Sequence, residues 1–317
     1  MATERRLNKI GWFFILPVGL LLAVFLVYPI FYSFYLSFTS TKGIVSNFVG
    51  FKNYTRLFGD PMFYLALKNT FKILLLQVPI MLCLALVFAS LLNNRKLKFK
   101  GFFRTALFLP SVTSLIAYTI LFKMLFAYDG LVNHLLMFLN LVQKPLDWLG
   151  TPSLALFVLI VAMIWRWTGY NMIFYLSAMQ NISGDLYEAA SIDGASPTMS
   201  FFTITLPLLK PMILFTTVMS TIGTLQLFDE PMNLAQGGVT ASTVGPNNCF
   251  LTLSVYIYNI CFKYTPNFGY AATVSYAILI IIAILTYIQF RVSSDTNTTL
   301  LRKVRTRNAI LSQGENK

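Results

Sequence analysis

Residues 188–207 read EAASIDGASPTMSFFTITLP, a short stretch between two long apolar runs. It is polar at its start and rich in small side chains. Ser183 is placed to N-cap a helix, with Asp185 near that helix's positively polarised start. Gly194 ends or bends the helix. Ser196 can cap a second helix, and Pro197 suits its first position. The expectation is a compact knob of two short helices at an angle. Ala189, Ala190, Gly194 and Ala195 keep its surface low, so another protein can approach closely. An ordinary helix-turn-helix link between membrane spans would share this composition.

The flanking runs decide the class. Of 317 residues, 56% are hydrophobic and 11% are charged; a soluble domain carries roughly 25% charged residues. Several apolar runs exceed the roughly 18 residues that mark a membrane span. The chain reads as an all-α integral membrane protein with six transmembrane helices, at 11–38, 69–92, 103–127, 153–179, 208–228 and 269–291. Basic residues before the first run suggest a signal peptide. The run is too long for one, and no small-residue cleavage site follows, so it is read as a retained span. Residues 39–68 are read as a polar loop. The loop 128–152 carries Asp129, Gly130, Asn133, Asp147 and Pro152, signals for turns and short interfacial pieces. Segment 229–267 holds the turn-rich QGGVTASTVGPNN and an apolar, helical CFLTLSVYIYNICF. Pro17, Pro29, Pro79 and Pro110 are expected to kink spans.

Six spans put residues 1–10 and the polar, partly mobile tail 292–317 on one side of the membrane domain, 11–291. That side carries Arg5, Arg6, Lys9, Arg95, Lys96, Lys98, Lys100, Arg104, Lys210, Arg291, Arg302, Lys303, Arg305, Arg307 and Lys317. The other has only Lys42, Lys52, Arg56, Lys68, Lys144 and Lys263. The positive-inside rule makes the first side cytoplasmic and places 184–207 there, in a cell membrane crossed several times. This distribution accounts for the net charge of +13 without nucleic acid, since no aromatic-interleaved basic patch appears. RKVRTR in the tail also suits anionic lipid headgroups. Lys72 and Lys123 are near enough to span ends to snorkel. Cys83 lies in a span. Cys249 and Cys261, read on one helix, would sit roughly 18 Å apart, too far for a disulfide. His134 is the lone histidine and there is no metal-ligand cluster.

Glu188-Ala189-Ala190, Asp193, Gly194 four after Ala190, and Ile204, Leu206 and Pro207 together resemble the EAA loop of permease subunits of ATP-binding-cassette importers. The chain is also similar to the carbohydrate-uptake branch of those permeases, of the maltose and glycerol-phosphate importer type. The carrying pieces are GFKNYTRLF at 50–58, ALKNT at 66–70, GFFRTALFLP at 101–110, DLYEAASIDGAS at 185–196, ITLPLLKP at 204–211 and STIGTLQLFDE at 220–230. The resemblance implies the type I importer permease fold, with Glu188, Ala189, Ala190, Asp193, Gly194 and Pro207 coupling to an ATPase. It implies a second permease in a heterodimer, two ATPase subunits and an extracellular sugar-binding protein, with the pore between the permeases. ATP and Mg would sit on the ATPases and no cofactor on this chain, which is then not itself an enzyme. In agreement, no Gly-Lys pair exists, so no GxxxxGK[ST] loop can form.

A sugar path needs side-chain hydrogen bonds and flat aromatics where water replaces lipid. Span four offers Trp165, Arg166, Trp167, Tyr170 and Asn171. Span five offers Ser220, Thr221, Thr224 and Gln226, with Gly223 leaving space. Ser220 and Thr224 share a helix face. The resemblance places Tyr170 and Ser220 at path-lining positions of the maltose-type permease; its other lining positions are not matched. Trp and Tyr also serve as interfacial anchors, and Ser, Thr and Gly as helix-packing residues. Arg166 stands apart, because a charge inside a span usually faces a cavity or a partner. Asp229 and Glu230 close span five at the outer mouth, as a path entrance or as solvated carboxylates. Glycerol-phosphate or polyol import remains an alternative cargo. A secondary transporter would show inverted repeats, and a membrane enzyme would need a motif such as HExxH or GxSxG; the sequence has neither.

Overall fold

The computed structural model describes residues 2–42, 45–94, 96–235 and 243–314, with side chains over 11–40, 46–94, 96–235 and 243–293. Residues 236–242 of the turn-rich segment, Arg95, and the side chains of the basic tail lie outside that range. Among the described residues, four helices are long and apolar enough to cross a membrane: Gly11–Ser37, Pro61–Asn93, Pro152–Gln180 and Phe268–Ser293. Two bent helix pairs raise the number to six. The chain forms two compact units. One comprises residues up to Tyr64 with Tyr256–Leu279; the other comprises Leu65–Val255 with the residues from Ile280 onward.

The first unit opens with α1 (Ala2–Leu22), a π-helical turn at Ala23–Val27, and α2 (Tyr28–Ser37). The π turn falls just before Pro29, which has no N–H to continue the ladder. The expected loop 39–68 is more ordered than its polarity suggested. It holds a hairpin, β1 (Thr39–Lys42) with β2 (Val45–Phe48), in the register Thr39↔Phe48. It also holds α3 (Lys52–Phe58) and the first turns of α4 (Pro61–Asn93), which starts eight residues before the expected span. The remaining elements of this unit are a π turn at Asn259–Lys263 and the start of α15 (Phe268–Gly314).

Asp60 sets where α4 begins. One carboxylate oxygen accepts the backbone N–H of Met62 at 2.9 Å. The other accepts the hydroxyls of both Tyr256 and Tyr270. Arg56 lies 4.0 Å over the Tyr270 ring. Burial alone would raise the Asp60 carboxyl, but the two tyrosines and the N–H groups of Met62 and Phe63 outweigh it and hold the carboxyl below its ordinary value. Nearby, Asn53 donates to the carbonyls of Ser37 (2.9 Å) and Thr39 (2.8 Å), and Thr273 donates to Ser37. A Cβ on Gly269 would fall 1.8 Å from the Thr39 carbonyl oxygen, so α15 approaches the hairpin only as glycine permits.

The second unit continues α4 through Pro79 without a break. It then has α5 (Lys100–Val112), α6 (Leu115–Leu125), α7 (Leu131–Phe138) and α8 (Pro152–Gln180). The expected span 103–127, with a kink at Pro110, is α5 and α6, bent by 98°. The break lies at Thr113 and Ser114, both extended, three residues beyond Pro110. The hydroxyls of Ser111 and Thr113 turn back onto the carbonyls of Phe108 and Pro110 at 2.7 Å, which competes with the helical ladder. After α8 come α9 (Gly184–Ile192), α10 (Pro197–Ser200), a π turn at Phe201–Thr205, α11 (Leu206–Leu208), α12 (Lys210–Leu225) and α13 (Asp229–Leu234). α14 (Leu253–Tyr258), with the π turn at Asn259–Lys263 that follows it, is the helical part of the apolar 249–262 stretch. Cys249 lies outside it, and Cys83, Cys249 and Cys261 are all free. The tail read as partly mobile continues α15 as helix to Gly314.

In lipid, apolar surface gives helices little reason to associate, so close packing and internal hydrogen bonds must do it. Ala85 and Ala89 of α4 are fully buried beside Met172, Tyr175 and Met179 of α8. Tyr175 and Thr216 share a hydrogen bond of 2.7 Å between α8 and α12. Asn133 of α7 is saturated. The two hydrogens of its amide are shared among the carbonyls of Ala127, Tyr128 and Leu146; its oxygen accepts from the Leu146 N–H and the Trp148 indole. The segment read as turns is therefore folded around one side chain.

Asp60→Asn should lower stability by about 2 kcal/mol at neutral pH, because charge-assisted bonds become ordinary ones. The gap is full well above the ordinary carboxyl value of 3.8 and should close as pH falls below that and through the lowered value of the folded protein. Thermal unfolding of the two proteins in detergent at several pH values measures this.

Candidate functional site

Two features concentrate chemistry. The first is a cavity of about 570 Å³ in the second unit, walled by α4, α8, α12 and α13. From α8 it takes Arg166, Trp167, Tyr170, Asn171 and Phe174. From α12 and the turn after it come Phe215, Thr216, Ser220, Thr224 and Gln226, and from α13 Asp229 and Glu230. Of the residues read as path-lining, Trp165 and Thr221 are missing from this wall. Thr221 instead accepts a hydrogen bond from the Gln289 amide at 2.8 Å. Trp165 packs on Phe122, ring centres 5.6 Å apart, one residue round the helix from Arg166.

One side of the cavity is aromatic. Trp167, Tyr170, Phe174 and Phe215 form a chain of ring contacts at 5.7, 5.1 and 5.8 Å. The polar side is hydrogen-bonded. Thr224 donates to the Gln77 carbonyl oxygen at 3.1 Å, and Asn171 donates to the Trp167 carbonyl at 3.0 Å. Gln77 and the two phenylalanines were not singled out in the sequence. For Gln77 a signal existed, a lone amide inside KILLLQVPIML, which is expensive in hydrocarbon without a purpose. The phenylalanines gave none, since every span is rich in them.

Arg166 is 8% exposed. Its Nη1 donates to the Thr113 carbonyl at 3.0 Å, and its guanidinium lies 4.5 Å over the Tyr118 ring. Thr113 follows α5 and Tyr118 lies on α6, so one side chain of α8 holds both halves of the bent pair. Gly169, one turn on, makes room for this: a Cβ there would fall 1.8 Å from the Leu107 carbonyl oxygen of α5. Glu230 is 5% exposed. Burial pushes its carboxyl up, while Trp167 and Arg166 pull against that push and Asp229 adds to it.

The second feature is the knob at 183–207. The Ser183 hydroxyl caps α9 through the Asp185 N–H at 3.3 Å, and the Ser196 hydroxyl caps α10 through the Met199 N–H at 3.2 Å. Gly194 has φ +80°. The Ala195 N–H bonds the Ala190 carbonyl at 2.8 Å and the Gly194 N–H bonds that of Ser191 at 3.1 Å. This is a Schellman ending, which calls for glycine at the left-handed position. Glu188, Ala189, Asp193 and Gly194 are exposed and Ala190 half-buried. The knob is tied to the next segment by a hydrogen bond of 2.8 Å between the Tyr187 and Thr205 hydroxyls. Pro207 lies in α11, away from the knob's tip.

Residues 81–295 match the model of the family described as binding-protein-dependent transport system inner membrane component. The chain belongs to that family. It is 51% identical over 289 residues to a lactose transport system permease protein of Rhizobium radiobacter, covering 91% of this chain and 95% of that one. It is 34% identical over 286 residues to an arabinooligosaccharides transport system permease protein of Bacillus subtilis, covering 90% and 88%. A sulfoquinovosyl glycerol transport system permease protein of Agrobacterium fabrum is 33% identical over 295 residues, covering 92% and 89%. Among solved structures, a chain of a bacterial ABC transporter involved in import of the acidic polysaccharide alginate superposes with a TM-score of 0.79 over 92% of this chain and 97% of that one, at 22% identity. The permease has the type I ABC importer fold.

Arg166→Lys should cost this permease about 2 kcal/mol, because an ammonium cannot both stack on Tyr118 and hold the Thr113 carbonyl in the same geometry. A lowered unfolding midpoint in detergent is the readout. Gly169→Ala should do more harm, since the clash is with backbone rather than with a movable side chain.

Proposed function

We propose that this permease forms half of the translocation pathway of an ATP-driven importer of sugars or oligosaccharides, and that the knob at 183–207 couples it to separate ATPase subunits. The observation that carries the cargo is the cavity. Flat rings from Trp167 and Tyr170 face hydroxyl and amide groups from Ser220, Thr224, Gln77 and Gln226, the pairing that a sugar's apolar faces and hydroxyl rim require. The relatives named for lactose and arabinooligosaccharides support the same class.

The knob suits its part because it is folded in advance. Both of its helices are capped, its tip is low, and Glu188 stands exposed on it for a basic partner. The partners are a second permease in a heterodimer, a pair of ATPases that hold ATP and Mg, and an extracellular sugar-binding protein. Both chain ends and the knob lie on the cytoplasmic side, where the basic loops fall. Glu188, Ala189, Ala190, Asp193 and Gly194 form the contact, and Pro207 sets the exit of the chain toward α12. Closure of the ATPases pushes the knob, and α12 carries that push to the cavity wall.

In proteoliposomes holding the complete transporter, Glu188→Lys should abolish stimulation of ATP hydrolysis by loaded binding protein while the complex still assembles. Stimulation at the unaltered level would remove Glu188 from the coupling. Tyr170→Ala and Ser220→Leu should each lower uptake roughly tenfold or more, since each takes away a stacking face or fills the path; undiminished uptake in both would move the path elsewhere.

A further inference from the structure

One face of α12 lines the cavity, through Thr216, Ser220 and Thr224. Another meets α15 in a separate groove of about 330 Å³. Both walls belong to the second unit. Ile213, Leu214, Ile288 and Val292 make the groove apolar, and the last two are 49% and 64% exposed. Polar groups along it are already engaged. The Thr217 hydroxyl donates to the Ile213 carbonyl at 2.7 Å, and the Gln289 amide donates to the Thr221 hydroxyl at 2.8 Å. Lys210 is the exception. It lines the groove, opens α12 and is half-buried. Its ammonium has no hydrogen-bond or ion-pair partner among the described residues. Ser293, also in the lining, ends the apolar span of α15. The groove therefore lies where these two spans reach the membrane edge.

We propose that this groove holds a phospholipid with an anionic headgroup, its phosphate on Lys210 and an acyl chain along Ile213, Leu214 and Ile288. The site goes beyond the import function above. A lone cation at the membrane edge needs an anion, and an apolar trough beside it needs hydrocarbon; one lipid supplies both. The lysine stem lies along the apolar wall while its ammonium stays at headgroup level. A zwitterionic lipid brings a cation of its own that competes with Lys210 for the phosphate, so an anionic headgroup is preferred. Arg291, exposed near the same end of α15, adds to the positive field although its Nε donates to the Tyr287 hydroxyl at 2.9 Å. The lipid thus braces one face of the helix whose other face lines the cavity.

The test places the full-length permease, with its partner subunits, in nanodiscs of phosphatidylcholine. A minor share of the lipid is diazirine-tagged phosphatidylglycerol or, in parallel, diazirine-tagged phosphatidylcholine, and labelled residues are mapped by peptide mass spectrometry. The glycerol lipid should label segments 210–217 and 288–293 about fivefold more than the choline lipid. Lys210→Gln should bring that ratio to about one, and Lys210→Arg should keep it. Leu214→Trp fills the groove and leaves the charge; it should lower labelling by both lipids there, and it stands in if Lys210→Gln does not assemble. Arg305→Gln with Arg307→Gln, in the basic tail, should leave the ratio unchanged. Excess soluble glycerol phosphate should not reduce the labelling; if it does, the site reads free phosphate and the lipid assignment falls. An unchanged ratio in Lys210→Gln overturns the site. So does a ratio lost only in the tail variant, or a wild-type groove left unlabelled because a partner helix or a second copy covers it. Tagged lipid is present in both leaflets, so the result does not depend on which face is cytoplasmic, and each outcome leaves the sugar-import reading standing.

Discussion

A carbonyl set free inside a membrane must find a donor, because no water is there to supply one. The break between α5 and α6 frees such a group at Thr113, and Arg166 supplies the donor from a neighbouring helix. The arrangement solves two problems with one side chain. A buried cation needs acceptors and a polarisable face, and a broken span needs its backbone satisfied. Gly169 is the condition for both, since α8 reaches the α5 backbone only where no Cβ intervenes. Arg166 also lines the cavity, so the group that stabilises the break is part of its wall.

The same economy recurs away from the cavity. Asp60 starts a helix with one oxygen and ties down two tyrosines with the other. Asn133 uses its oxygen and both of its amide hydrogens to fold a segment that has little regular structure of its own. Where hydrophobic burial cannot tell one helix face from another, saturated polar side chains fix which segments meet.

Much of this was legible in the sequence. Apolar run length gave the spans, and Ser183, Gly194, Ser196 and Pro197 gave the two-helix knob, because caps act within a few residues of themselves. The cavity was partly legible: Arg166, Trp167, Tyr170 and Asn171 are unusual inside a span, and so are Ser220 and Thr224. Their joining into one wall, and the place of Gln77 in it, depends on contacts 147 residues apart in the chain. Pro110 signalled a kink, but the size of the bend and its place at Thr113 were hidden for a related reason. Hydropathy continues across it unbroken, and what permits the bend is a guanidinium 53 residues away. The hairpin at 39–48 and the early start of α4 were missed because short polar elements leave no long pattern; a single aspartate marks the second.

Ile192 is 86% exposed at the tip of the knob, and Leu186 on the same short helix is 48% exposed. Neither lies in a candidate span. Bare aliphatic groups on a rigid protrusion favour contact with whatever apolar surface is nearest. On the coupling role proposed above, a copy inserted ahead of its companions would carry this tip uncovered, and synthesis in balanced amounts would keep surplus copies from clumping.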